Sequence, residues 1–138
     1  MLSLDAVPNM IRILLVDDQP SIRTGLRLRL GLEPGLLVVG GAASGEEAIA
    51  LAPEVTPDVI VMDVSMPGMG GIAAAAHLRA LLPTVAVVML SLHDDPITRA
   101  DALAAGAAAL VAKQHAEELL MDAIRTAHDG SRAGERLG

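Results

Sequence analysis

The sequence predicts a three-layer, doubly wound α/β fold built on a five-stranded parallel sheet. Two observations predict it. Five short apolar runs, mostly β-branched, alternate strictly with segments of helical character. Each run is also continuous rather than alternating, as expected of strands buried on both faces between layers of helices. Crossovers in such a fold are right-handed.

The first run, Ile11–Val16, is followed by a helix over Pro20–Leu30, which opens on proline and carries Ile22, Leu26 and Leu30 in one apolar stripe. The second run, Leu36–Gly40, leads to a helix whose start is marked by the capping-box pair Ser44 and Glu47 and whose extent Pro53 limits. Val59–Met62 precedes a helix from Gly71 to Leu82, ended by Pro83. Val85–Leu90 precedes a helix opened by Asp95–Pro96 and running to Ala105, with Gly106 just past its end. Ala108–Ala112 is alanine-rich, which favours helix, but its place in the alternation makes it the fifth strand. Glu117–Ala127 forms the last helix, ending near Gly130, and the Gly-rich remainder reads as a linker or frayed end. The domain thus spans 11–129, with 1–10 an N-terminal extension and 130–138 a tail.

A chain of 138 residues with 52% apolar side chains supports one core, and this core holds no Phe, Tyr or Trp. No cysteine is present, which excludes disulfides and thiolate metal sites. The net charge of −7, with 10 basic residues scattered along the chain, argues against a nucleic-acid surface on this segment. Apolar runs fall far short of the roughly 20 residues that span a bilayer, and the N-terminus has no basic cluster. The expectation is a soluble cytoplasmic domain.

In doubly wound folds the site lies beyond the carboxyl ends of the strands, where the strand order reverses. Asp17 and Asp18 follow the first run, Asp63 the third, Ser91 the fourth and Lys113 the fifth. Three clustered carboxylates repel unless a cation joins them, and an all-oxygen set suits Mg²⁺. A carboxylate can attack phosphorus, while a lysine and a divalent cation neutralise the transferring group and a hydroxyl donates to one of its oxygens. One aspartate after a strand is usually a cap or turn residue; five polar groups at the right strand ends form an acyl-phosphate site.

With these residues in view, the sequence resembles the receiver domain of two-component response regulators from about Ile11 to Gly130. The stretches ILLVDDQPSIRTGL, VIVMDVSMPGMGG, VVMLSLHDD and LVAKQ carry the resemblance, and DDQPSIRTGL with SLHDD is similar to the LuxR/NarL-type subfamily. The resemblance implies a flavodoxin-like strand order 2-1-3-4-5. It implies that Asp63 accepts a phosphoryl group from a phosphohistidine of a sensor histidine kinase. Mg²⁺ would be held by Asp18, Asp63 and the Ser65 backbone carbonyl, with Asp17 assisting; Ser91 and Lys113 would contact the phosphoryl oxygens. Ser65 and His93 occupy positions that tune dephosphorylation, and Arg23 and Arg27 lie near the kinase-docking surface. The fourth helix, fifth strand and fifth helix form the responding face, with a homodimer on activation. A DNA-binding helix-turn-helix output domain is expected beyond this segment in a transcription regulator, so a longer protein is anticipated.

Three positions depart from the family pattern. Leu110 stands where an aromatic is usual in the switch region, Gly70 where Asp often caps the next helix, and Gln114 follows Lys113 where Pro or Asp is common. The first keeps open a phosphorylation-independent pseudo-receiver acting by dimerisation or protein binding. An aspartate-nucleophile phosphatase is disfavoured because Ser65 stands where its general acid would be, and a flavin binder because no aromatic is available. The expectation is therefore a phosphoacceptor domain and not an enzyme with an external substrate. His77, His93, His115 and His128 have no metal spacing, and Met62, Met66 and Met69 read as gap-fillers.

Overall fold

The structure, a computed structural model, describes the backbone of residues 10–137 and side chains through Arg132. The expected extension at 1–10 lies, apart from Met10, outside the described residues. Five parallel strands, β1 (Ile11–Val16), β2 (Leu36–Ala42), β3 (Val59–Asp63), β4 (Ala86–Ser91) and β5 (Ala109–Ala112), form one sheet in the order β2-β1-β3-β4-β5. Between and after them run α1 (Pro20–Gly31), α2 (Gly45–Val55), α3 (Gly71–Leu81), α4 (Pro96–Ala104) and α5 (Ala116–Leu137), with a 3-10 turn at Lys113–His115. The doubly wound fold and its strand order are as expected.

Successive strand residues point to opposite faces, so the continuous apolar runs feed two cores. Leu14, Val16, Ile60, Met62, Val87 and Met89 pack under α2, α3 and α4 with Ala48, Ala52, Ala74, Ala75 and Ala102. Ile13, Leu15, Val59, Val61, Val88 and Leu90 pack under α1 and α5 with Leu30, Leu120 and Ile124. Alanine replaces the missing aromatics by closeness: a Cβ added at Gly45 would stand 2.8 Å from that of Ala74, where α2 crosses α3.

Local signals hold where the partner is local. The Ser44 hydroxyl accepts from the Glu47 N–H at 3.1 Å, and the Glu47 carboxylate accepts from the Ala43 N–H at 3.2 Å. Asp95 caps α4 by accepting from the Thr98 N–H at 2.8 Å. Elsewhere the boundaries move. Pro53 lies inside α2, which continues to Val55 and ends on Thr56 in the left-handed region at φ 45°. Its last carbonyls are taken by the Arg12 guanidinium, which reaches Val55 O at 2.7 Å and Thr56 O at 3.1 Å. β2 extends past the expected end at Gly40 through Gly41 and Ala42, its pairing with β1 resuming after Val39 bulges out. Gly130 does not end α5, which runs to Leu137. Glycine costs a helix only about 1 kcal/mol, and the Ser131 hydroxyl donates to the Thr84 carbonyl just past it.

Candidate functional site

Order reversal between β1 and β3 opens a crevice at their carboxyl ends, and the expected residues meet there. Asp17 is almost fully buried (1% exposed). Its N–H donates to Ala42 O at 3.1 Å, and its Oδ1 accepts from the Gln19 N–H at 2.9 Å. Asp63 is the last residue of β3 rather than the first beyond it; its Oδ1 accepts from the Ser65 N–H at 3.2 Å. Lys113, opening the 3-10 turn after β5, donates from Nζ to Asp63 Oδ2 at 3.1 Å and lies 3.6 Å from Asp17 Oδ2. Asp17, Asp18 and Asp63 each bring a carboxylate oxygen within 4.8 Å of the others.

The charge balance is unfavourable without a cation. Burial pushes the Asp63 carboxyl up, and the nearby Asp17 charge adds to this; the Lys113 hydrogen bond, the Ser65 N–H and the lysine charge oppose it without cancelling it. Asp17 Oδ2 is buried with no hydrogen-bond partner. A buried, unpartnered carboxylate oxygen beside two further carboxylates is a hard-oxygen donor set that fits a divalent cation such as Mg²⁺.

Ser91 and Leu110 are placed differently from the acidic groups. The Ser91 hydroxyl donates to His93 O at 2.7 Å and accepts from the His93 N–H at 3.1 Å, so it is engaged within its own turn and not with Asp63. The His93 side chain is exposed. Leu110 is buried beside Met89 in the core under α2–α4. Arg23 is half-buried, and its guanidinium donates to the Asp17 carbonyl at 2.5 Å; Arg27 is exposed, with Nη2 over Gly41 of β2.

Glu46 and Gly71 have roles that no signal in the sequence marks, and Gly70 has a different role from the expected one. Glu46, in the first turn of α2, accepts from the Met69 N–H at 3.0 Å and holds the loop that follows Asp63. No local signal marks it, since its partner is 23 residues away. Gly70, expected to be an adequate but weaker N-cap than Asp, has φ 78° and ψ 160°, a conformation essentially open only to glycine, so its role is to turn the chain. Gly71 packs directly against the backbone of Asp63: a Cβ there would stand 2.1 Å from the Asp63 carbonyl oxygen. Glu46→Ala is expected to cost about 1 kcal/mol or less and to speed amide exchange at Gly68, Met69 and Gly70 selectively. A uniform rise across the domain would contradict that localised role.

The fold and this acidic crevice are those of a receiver-type α/β domain. Residues 13–125 match the family described as response regulator receiver domain, and the chain belongs to that family. It is 40% identical over 120 residues to the uncharacterised transcriptional regulatory protein YxjL of Bacillus subtilis, an alignment covering 87% of this chain and 55% of that protein. It is 39% identical over 123 residues to the response regulator GacA of Pseudomonas aeruginosa, covering 89% and 58%. Among solved structures, a LuxR-family two-component response regulator from Aurantimonas superposes with a TM-score of 0.84 at 34% identity, covering 94% of this chain and 99% of that one. The chain spans 55% and 58% of the length of these two curated relatives. Among the described residues no helix is long and apolar enough to cross a membrane.

Proposed function

We propose that the chain is a phosphoacceptor switch in which Asp63 takes a phosphoryl group from a phosphohistidine of a sensor histidine kinase. The observation that carries this reading is the Asp63 carboxylate at the end of β3, bonded at 3.1 Å to Lys113 within an otherwise acidic, largely buried crevice. A carboxylate oxygen of Asp63 attacks phosphorus as the bond from phosphorus to the imidazole nitrogen breaks; that nitrogen keeps the bonding pair and the ring takes one proton from solvent, leaving an acyl phosphate and a neutral imidazole. Lys113 follows the added negative charge, and Ser91, released from His93, donates to a phosphoryl oxygen. Asp17, Asp18, Asp63 and the Ser65 carbonyl would hold Mg²⁺, which when bound would neutralise the carboxylates and the incoming phosphoryl oxygens.

Arg23 and the exposed Arg27 on α1 are assigned to the kinase-docking surface, and Ser65 and His93 to tuning of dephosphorylation. The reading is completed by a DNA-binding output domain and a homodimer on activation; the name of YxjL, a transcriptional regulatory protein, supports the first of these. The core position of Leu110 favours one further reading, a pseudo-receiver that signals without phosphorylation. Mass spectrometry after incubation with Mg²⁺ and a small phosphodonor separates them. One added phosphoryl group on the parent and none on Asp63→Ala is expected; no gain on the parent, or an equal gain on both, would sink the acceptor reading.

A further inference from the structure

We infer that Arg23 is a positioning residue for the acidic cluster, setting the direction of the Asp18 carboxylate by holding the Asp17 carbonyl. The inference rests on the reading of Asp17, Asp18 and Asp63 as a Mg²⁺ site and adds to it a residue outside the carboxylates themselves.

Asp17 is restrained on three sides. Its N–H is tied to β2 through Ala42 O at 3.1 Å, its side chain caps the Gln19 N–H at 2.9 Å, and its carbonyl receives the Arg23 guanidinium at 2.5 Å. That carbonyl belongs to the peptide plane joining Asp17 to Asp18. Fixing the plane fixes the backbone torsions on either side of it, and with them the direction in which the Asp18 Cβ leaves the chain. Asp18 needs such support. It is only half-buried, and among the described residues its carboxylate has no hydrogen bond of its own, unlike those of Asp17 and Asp63.

The geometry is built by the neighbouring strand. Arg23 sits in the first turn of α1, and its side chain reaches back over six residues. It lies across β2 at Gly41, where no side chain competes: a Cβ there would be 3.6 Å from Arg23 Cδ and 3.8 Å from its Nε. Gly41 pairs with Leu15, two residues before Asp17, so the cleared position is beside the end of β1. A charge-assisted bond from a planar guanidinium is strong and directional, which suits it to orienting a peptide.

Charge and positioning predict opposite outcomes. A nearby cation repels Mg²⁺, so if charge were decisive, removing Arg23 would tighten metal binding. If orientation is decisive, removing it weakens binding, as loss of groups that orient metal ligands costs roughly 10–100-fold. The test is calorimetric titration of Mg²⁺ into the metal-free chain, with no phosphodonor present. Arg23→Ala is expected to raise Kd about tenfold, and Arg23→Lys, which keeps a charged donor, to recover most of that loss. Arg23→Met keeps the stem over Gly41 without the donor and serves should the alanine variant not fold. Parent-like or tighter binding by the alanine or methionine variant, with unchanged metal-free circular dichroism, overturns the proposal. A parent that binds no Mg²⁺ overturns instead the reading of the acidic cluster on which it stands.

Discussion

Asp63→Asn is expected to melt at a higher temperature than the parent when no divalent cation is present, and to accept no phosphoryl group. Both follow from replacing the carboxylate by an amide, which has no charge to bury and no nucleophilic carboxylate oxygen. Burial and the Asp17 charge raise the Asp63 carboxyl above its ordinary value of 3.8. The folded chain therefore holds this proton more tightly than the unfolded chain does. Stability from this group is greatest below the unfolded value and declines as pH rises through that value to the folded one. At neutral pH the ionised carboxylate opposes folding, and the neutral amide of similar shape removes that cost. Lys113 loses its partner at 3.1 Å but keeps Asp17 at 3.6 Å, so the gain is not cancelled. The difference is read as a higher melting temperature of the variant than of the parent. The chain has no aromatic residue, so the melt is followed by far-UV circular dichroism rather than fluorescence. The gap between variant and parent grows from pH 4 to neutrality, and saturating Mg²⁺ closes it by binding the parent more tightly. A parent more stable than Asp63→Asn at pH 7 in chelator would contradict the electrostatic account.

The same acidic cluster explains what could be read from the sequence. Asp17, Asp18, Asp63, Ser91 and Lys113 are legible because a parallel sheet brings the residues ending its runs to one edge, whatever their separation along the chain. The caps of Ser44 and Asp95 are legible because donor and acceptor lie three residues apart. What was not legible is long-range or conformational. Arg12 secures the end of α2 from 43 and 44 residues away, overriding the break that Pro53 signals. Ser91 faces its own turn because a hydroxyl can close a local ring that composition does not reveal. α5 continues past Gly130, where the Ser131 hydroxyl donates to the Thr84 carbonyl across the domain. Arg23 carries both lessons: the family resemblance assigns it to a docking surface, whereas its hydrogen-bond partner is the backbone of the site itself.

Gly71→Ala is expected to be the most damaging single-methyl change in the chain. The added Cβ would stand 2.1 Å from the Asp63 carbonyl oxygen and 2.9 Å from the Val64 Cα, both backbone, and 2.9 Å from the Met89 Cε. The methionine end can swing aside; the backbone at Asp63 and Val64 is held to β4 by the Asp63–Leu90 pairing and the 2.9 Å bond from the Val64 N–H to Leu90 O, and yields less readily. Relief must come from α3 lifting off, which breaks the 2.9 Å bond from the Gly71 N–H to Val64 O, or from displacement of Asp63 itself. Overpacking of this severity costs about 3 kcal/mol. Either route also moves the acceptor, so the variant is expected to lose phosphoryl uptake at temperatures where it is still folded. Gly25→Ala is the control, because a methyl there meets nothing within 4 Å and lies on a helix. It should gain about 0.5–1 kcal/mol from the lower entropy of the unfolded chain. Urea denaturation of the two variants beside the parent decides the matter. If Gly71→Ala unfolds at the parent's midpoint, the close seating of α3 on Asp63 is not what holds the acceptor in place.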